Sequence, residues 1–592
     1  MKTLSVTLLA TLVLAAGLTF ALTQRRGSRG RTAPRAESDA SSRTKRVGAR
    51  GDFQRALAEA QPGDTIILEA GATYTGPFTL PFKQGTGTDA DWITIRSSAE
   101  DRLPGAGQRI TPSHAPLMPK LVAPGKATKA LQAEPRAHHY RFVGIEFAPV
   151  DSSADVRNLI WLGEGNESSV EQMPHHIILD RVYVHGFVDS QQTRGVCFNG
   201  REMALINSHV SEIHHPWQDS QAVWGAWGPG PYLIENNYLE AAGENVMFGG
   251  DDPRIEGLIP SDIVIRRNQM TKPWRWREGH ESFDGRQWVV KNLLEIKNGQ
   301  RVLIEGNLFE NSWKDEQTGV AVLLKATNQH GRAPWSACQD VVVRHNIFRH
   351  VGSAIQIGDS GTQTAGNRRI QIINNLAADI SRAKYGGGVA EGYFISTSIE
   401  ADEVTVEHNT VAEVDQQTAR IGNDRAPARR GLYIRNNIWM RGGNGWGRDV
   451  SVYEGINAFR GHIDPQYNPY YHPVNDPNGR GYRAYPDPSI DRKYVYERNV
   501  MFGVMDVDAV SKKYPPGNFF VGAASDVGFV DYARGNYRLA PNSPFKRRAD
   551  NGRDPGCDID ALEAAMSGLT STQTPAPAPP PAPAQRPRRV TP

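Results

Sequence analysis

Hydrophobic residues along the middle of this chain fall into short runs of alternating apolar and polar positions, each followed by a polar pair that usually ends in Asn. Clear copies are Tyr232-Leu-Ile-Glu-Asn-Asn-Tyr-Leu, Ile263-Val-Ile-Arg-Arg-Asn-Gln-Met and Val302-Leu-Ile-Glu-Gly-Asn-Leu-Phe. Others are Val341-Val-Val-Arg-His-Asn-Ile-Phe, Ile370-Gln-Ile-Ile-Asn-Asn-Leu-Ala, Val404-Thr-Val-Glu-His-Asn-Thr-Val and Leu432-Tyr-Ile-Arg-Asn-Asn-Ile-Trp, with a later copy at Tyr494-Val-Tyr-Glu-Arg-Asn-Val-Met. The period of two predicts strands. The recurring Asn237, Asn268, Asn307, Asn346, Asn375, Asn409 and Asn437 lie 31, 39, 39, 29, 34 and 28 residues apart. Self-similarity at such spacing is the mark of a solenoid. Each period also holds a second strand, such as Val246-Met-Phe, Leu293-Leu-Glu-Ile or Val320-Ala-Val-Leu-Leu. The surplus residues must loop outward. Asn tolerates left-handed backbone angles, and stacked Asn side chains can hydrogen-bond from coil to coil. These asparagines are therefore expected to be architecture.

The pattern resembles the pectate-lyase-like superfamily of right-handed parallel β-helices over residues 51–561. The resemblance implies an all-β solenoid with long loops and an N-terminal cap helix, for which Phe53-Gln-Arg-Ala-Leu-Ala-Glu-Ala is the candidate. Proteins of this kind are commonly extracytoplasmic and act on polysaccharides. Fold alone does not give function.

The flanks read differently. Residues 1–23 form a signal peptide or N-terminal anchor, with Lys2 before the apolar stretch Leu4 to Leu22. Export to a secreted, periplasmic or cell-surface location is expected; contact with a membrane would come only through this segment, if uncleaved. Residues 24–50 read as a disordered linker and 562–592 as a Pro/Ala-rich disordered tail. The stretch Asn457 to Ile490 lacks the repeat and reads as a long excursion. With 67 Lys and Arg against 64 Asp and Glu, the net charge is only +3, which gives nucleic-acid binding no support. Cys197, Cys338 and Cys557 are too few and too scattered for a disulfide framework or a zinc site. Adjacent residues of a strand point to opposite sides, so His175-His176 and His214-His215 are not expected to share a metal. A monomer is expected.

A β-helix has no natural pocket, so chemistry must sit on a sheet face. Alignment of the second strands puts Leu294 and Ile296 in the core and Glu295 and Lys297 outside. Lys325 then takes the place of Lys297 one coil on, about 4.8 Å away. Two ammonium groups about 5 Å apart repel by roughly 1 kcal/mol in water and about 3 kcal/mol at an effective dielectric of 20. One lysine pKa is expected to fall unless a carboxylate, Glu295 or Asp251, compensates. A lysine base beside a cationic group suits β-elimination of a uronate, whose carboxylate must be neutralised as the neighbouring proton leaves. Asp251 and Asp252 are candidate ligands for a Ca²⁺ sharing that task. The string Glu295-Ile-Lys-Asn-Gly-Gln-Arg301 also resembles the active-site coil of chondroitinase-B and alginate lyases of this fold, though no second metal-binding Glu and no catalytic Arg is matched. Trp224, Trp227, Trp274 and Trp276, with Arg275 and Arg277, are candidates for binding an anionic glycan; Trp217, Trp313 and Trp335 lie nearby in sequence.

Three functions remain open. One is a polysaccharide lyase on an acidic, uronate-containing glycan with Lys297 or Lys325 as base and Glu295 beside them. Another is a glycoside hydrolase using carboxylates among Asp251, Asp252, Asp284 and Glu295. The third is a non-catalytic glycan-binding or structural surface protein.

Overall fold

In a computed structural model the chain divides at Thr44, and the second unit, 45–592, carries the repeats. The structure describes residues 43–569 apart from 127, 317–318, 359–362, 387–391, 398–400, 422–429, 442–493, 512–513 and 515. The expected leader, the excursion after Asn457 and the Pro/Ala tract after Thr572 lie outside these. Strand Thr44–Val47 forms inside the stretch expected to be linker, and helix Ile559–Ala565 runs past residue 561 into the expected tail.

The fold is a right-handed parallel β-helix. Among the described residues, two sheets of fourteen strands and one of eleven run the length of the stack, their pairings from strand Thr65–Leu68 onward parallel. A coil takes one strand from each sheet. One coil is Ser261–Arg266, Gln269–Thr271 and Leu294–Ile296; the next is Gly299–Glu305, Leu308–Ser312 and Val320–Leu324. Each run seen in the sequence is thus two strands hinged at the polar pair. Alternation delivers Ile263, Ile265, Met270, Leu294 and Ile296 to one continuous core, where like residues stack, as Phe309 does on Phe348 at 5.0 Å. Helix Phe53–Glu59, capped by Asp52, sets Phe53 against Phe78 and Tyr74 of the earliest coil.

The hinge explains the asparagines. The left-handed residue is the one before the ladder Asn, as at Asn236, Arg267, Gly306, His345 and Asn374, not the ladder residue itself. That bend turns the next side chain inward. Asn268 N and Nδ2 both donate to Asn307 Oδ1 at 2.9 and 3.0 Å, and its Nδ2 also donates to Ile234 O at 2.8 Å. Asn307 repeats this toward Asn346 and Ile265 O. The ladder runs on through Asn375, Asn409, Asn437 and Asn499.

Candidate functional site

The outer face of the eleven-strand sheet carries the row Trp161, Cys197, Trp224, Met247, Glu295 and Leu323, one residue per coil. Two positions further along each strand, Lys325 follows Lys297 in register. Lys325 N donates to Ile296 O, and Thr327 N donates to Lys297 O. The expected register of the two residues is therefore present in the backbone. Glu295 is buried; Asn292 Nδ2 donates to its Oε1, and Lys297 Nζ lies 3.0 Å from its Oε2. The expected fall in a lysine pKa does not occur at Lys297. Burial works to lower it, but Glu295 and then Glu244 outweigh burial and hold it above its ordinary value.

Glu244 and its neighbours complete the cluster. Glu244 faces outward at the start of the preceding coil's strand and is fully buried. Gln221 Nε2 donates to its Oε2 at 2.7 Å. Burial, with Glu295 and Asp219 nearby, pushes its pKa up to about 7. Lys291 reaches across to Asp219. Beneath, the Lys272 ammonium donates to Ala241 O, Ala242 O and Gly243 O at 2.9, 2.9 and 2.6 Å, and to Asn292 O at 3.1 Å. Burial lowers its pKa to about 7 against the pull of Glu244, Glu295 and Glu240. Sequence reasoning missed Glu244, Gln221, Asn292 and Lys272. Extending each aligned strand two residues toward its N-terminus would have found Glu244.

Three buried oxygens of this cluster, Glu244 Oε1, Gln221 Oε1 and Asn292 Oδ1, accept from no donor among the described residues. An oxygen-only set with free lone pairs has the chemistry of a hard cation's ligands. Asp251 and Asp252 do not. Asp252 accepts from the backbone N–H groups of Gln329, His330 and Arg332 at 2.7, 2.9 and 3.0 Å, and Asp251 pairs with His330 and Arg332. These carboxylates hold the 328–332 loop. The unpartnered oxygens here belong to Glu244, Gln221 and Asn292 and not to the aspartates.

The aromatic candidates separate likewise. Trp276 is buried, and Trp274 packs against Trp313 and Tyr385. Arg275 is paired with Glu212, Glu240 and Asp284; Arg277 donates to Lys384 O and lies over the Trp274 ring. All four are engaged in anchoring their own loop rather than free to meet a glycan. Trp335 donates to Leu258 O. On the sheet face, Trp224 is buried, with Nε1 donating to Gly249 O and the Arg194 guanidinium 4.2 Å from its ring. It braces Trp161 and Trp227, which are partly buried. Trp224 lies two strand spacings, about 10 Å, from Glu295, and Trp161 four, about 19 Å. Trp217, on the loop that carries Asp219, is 79% exposed. The three cysteines are free thiols.

No protein-family model matches the chain, and no curated protein matches its sequence. Solved structures do match. An alginate lyase from Paenibacillus sp. str. FPU-7 aligns at 13% identity and a TM-score of 0.35, over 60% of this chain and 98% of that one. The PL6 family alginate lyase AlyGC aligns at 14% and 0.44, over 81% of this chain and 53% of that one. A GH87 α-1,3-glucanase from Streptomyces thermodiastaticus aligns at 13% and 0.42, over 70% and 65%. At such identities the chemistry rests on this chain's own residues.

Proposed function

We propose that the chain is a carbohydrate-active enzyme, a polysaccharide lyase that cleaves an acidic, uronate-containing glycan by β-elimination on the outer face of the eleven-strand sheet. The observation that carries this reading is the pair Lys297 and Lys325, in register on adjacent coils beside buried oxygens that lack donors. Lys297, kept protonated by Glu295, neutralises the uronate carboxylate. Lys325, one strand spacing away, takes the proton from the carbon next to that carboxylate as the glycosidic oxygen departs. Glu244, Gln221 and Asn292 would hold Ca²⁺, which when bound would polarise the same carboxylate and acidify that proton. Trp161, Trp227 and Trp217 offer ring faces to neighbouring sugars, with Arg194 supplying positive charge. The same reading places the enzyme outside the cytoplasm, as a monomer, where such a glycan is met.

The test is ultraviolet absorbance of the unsaturated uronate released from a panel of acidic glycans. Lys297→Ala and Lys325→Ala should each lower kcat/KM by about 10²–10³-fold. Full activity in both variants would reject the site. A second reading has its own support: Glu244, with a pKa near 7, and Glu295 are carboxylates on adjacent coils, as a hydrolase acid and base require. It predicts new reducing ends without the absorbance. Neither signal on any glycan would favour a binding or structural role.

A further inference from the structure

The fourteen-strand sheet that opens each coil has its own outer face, far in sequence from the lysines. There the pairs His138-His139 and His175-His176 sit in adjacent strands. Register runs His138 to His175 and then Tyr140 to Ile177, leaving His139 and His176 as unpaired extra residues. Both adopt left-handed angles, φ 57° and 52°. A left-handed bulge rotates the chain so that two consecutive side chains leave on the same side. This overturns the expectation that neighbouring histidines point apart. The device is general on this face: Asp262, Arg301, Asp340 and Arg369 occupy the same bulge in later coils, where Arg301 meets Asp262 at 2.7 Å and Arg369 meets Asp340. Where later coils carry complementary charges, the two early ones carry four imidazoles.

We propose that His139, His175 and His176 form a binding site for a divalent transition metal of the zinc class. One ring nitrogen from each already lies within 4.8 Å of the others. Zinc–nitrogen bonds near 2.0 Å in a tetrahedron need nitrogens about 3.3 Å apart, which side-chain rotation can supply. The rings face one another across the coils, His139 on His176 at 4.4 Å and His138 on His175 at 4.9 Å. Within each coil the Nδ1 atoms of the two histidines approach to 2.7 Å. A hydrogen bond between two imidazoles needs one N–H and one lone pair, so one nitrogen of each such contact acts as acceptor. The Glu202 carboxylate, at the bulge of the next coil, lies against His176 Nδ1 and supplies an anion beside the cluster. Imidazole donors select zinc, copper, nickel or cobalt over calcium or magnesium. The site is therefore chemically distinct from the oxygen cluster on the other face. A cleft of about 610 Å³, lined by His138, His175, Arg136 and Arg201 among others, opens beside it. It leaves room for a fourth ligand from solution. A metal here would tie two successive coils near the start of the stack.

The experiment uses the full chain without an affinity tag, stripped with chelator. Co²⁺ addition should give the visible absorption of a nitrogen-bound ion, and Zn²⁺ titration by calorimetry should show one tight site. Zn²⁺ should also raise the thermal midpoint, because a ligand that binds only the folded state stabilises it. The double variant His139→Gln, His175→Gln should lose the cobalt spectrum, weaken Zn²⁺ binding at least tenfold and lose the thermal shift. The single variant His176→Gln, in case the double one folds poorly, should weaken binding tenfold. Lys297→Ala should bind Zn²⁺ as the parent does, so failure of the lyase reading leaves this result untouched. No Zn²⁺ or Co²⁺ binding by the stripped parent, or equal binding by the histidine variants, would overturn the proposal.

Discussion

At Asn268, Asn307 and Asn346 each coil offers the next the same group, and every donor and acceptor of that group is used. Around the same coils, on the eleven-strand face, Gln221, Glu244 and Asn292 change from coil to coil and leave oxygens without donors. Both regions are buried and polar. The difference is repetition. A side chain that recurs at one position can be satisfied by its own copy about 4.8 Å away, so it lowers the energy of any number of coils. A side chain that occurs once must find a different partner, and where it finds none the cluster keeps a cost that stability alone does not explain.

Three substitutions can break this contrast. Asn307→Ala would orphan Asn268 N–H and Ile265 O, at about 1–3 kcal/mol each, so a loss of roughly 2–6 kcal/mol is expected in urea unfolding. Asn292→Ala removes one hydrogen bond to Glu295 and an oxygen that no donor meets, so about 1.5–3 kcal/mol is expected. Equal losses would mean that the face is as structural as the corner. Next is Lys272→Met, which leaves four carbonyl oxygens without their common donor and takes a buried cation away from Glu244 and Glu295. An unsatisfied buried polar group costs about 1–3 kcal/mol, so a loss of about 3 kcal/mol or more is expected. A loss under about 1 kcal/mol would show that the cluster does not depend on this cation.

A smaller effect is expected from pH. Burial and the carboxylates of Glu295 and Asp219 raise Glu244 from 4.5 to about 7, so the folded chain holds a proton there that the unfolded chain has released. The stability this proton confers is fully present below about pH 4.5 and lost as pH rises through about 7. Glu244→Gln cannot titrate. The fall in thermal midpoint between pH 4.5 and 7 should therefore be shallower in the variant than in the parent. Parallel curves would place the proton elsewhere.

The fold was legible because its signal is repeated: seven asparagines and their flanking apolar runs fix both the solenoid and the strand register. That register correctly set Lys325 one coil on from Lys297. What stayed hidden depends on single positions. The left-handed bulges at His139 and His176 reverse the direction of a side chain without any glycine to announce them. Lys272 lies at the end of its strand, where nothing in the sequence distinguishes an interior ammonium caged by carbonyls from an exposed one. Asp251-Asp252 looked like metal ligands because the loop whose backbone N–H groups they accept from, at Gln329 to Arg332, is 77–80 residues away. Trp274 to Arg277 looked like a glycan surface for the same reason: their partners Glu212 and Tyr385 lie in distant segments.

The least disruptive probe of the contrast uses the glycines that flank the two lysines. A Cβ on Gly249 would lie 2.7 Å from the Asn298 backbone nitrogen and 2.9 Å from Lys297 Cβ, at φ 97°. Gly249→Ala must therefore shift backbone and destabilise the coil. A Cβ on Gly358 meets only Lys325, at 3.0–3.2 Å from its Cδ, Cβ and Cγ, and no left-handed angle is needed there. A flexible lysine can yield at little cost. Gly358→Ala should lower stability by only about 1 kcal/mol, the low end of the cost of overpacking a buried position. It should still lower kcat several-fold, because Lys325 is redirected along the face where it takes the proton. Unchanged kcat with a displaced Lys325 would remove that lysine from the reaction and leave Lys297 and the oxygens beneath it as the only chemistry on this face.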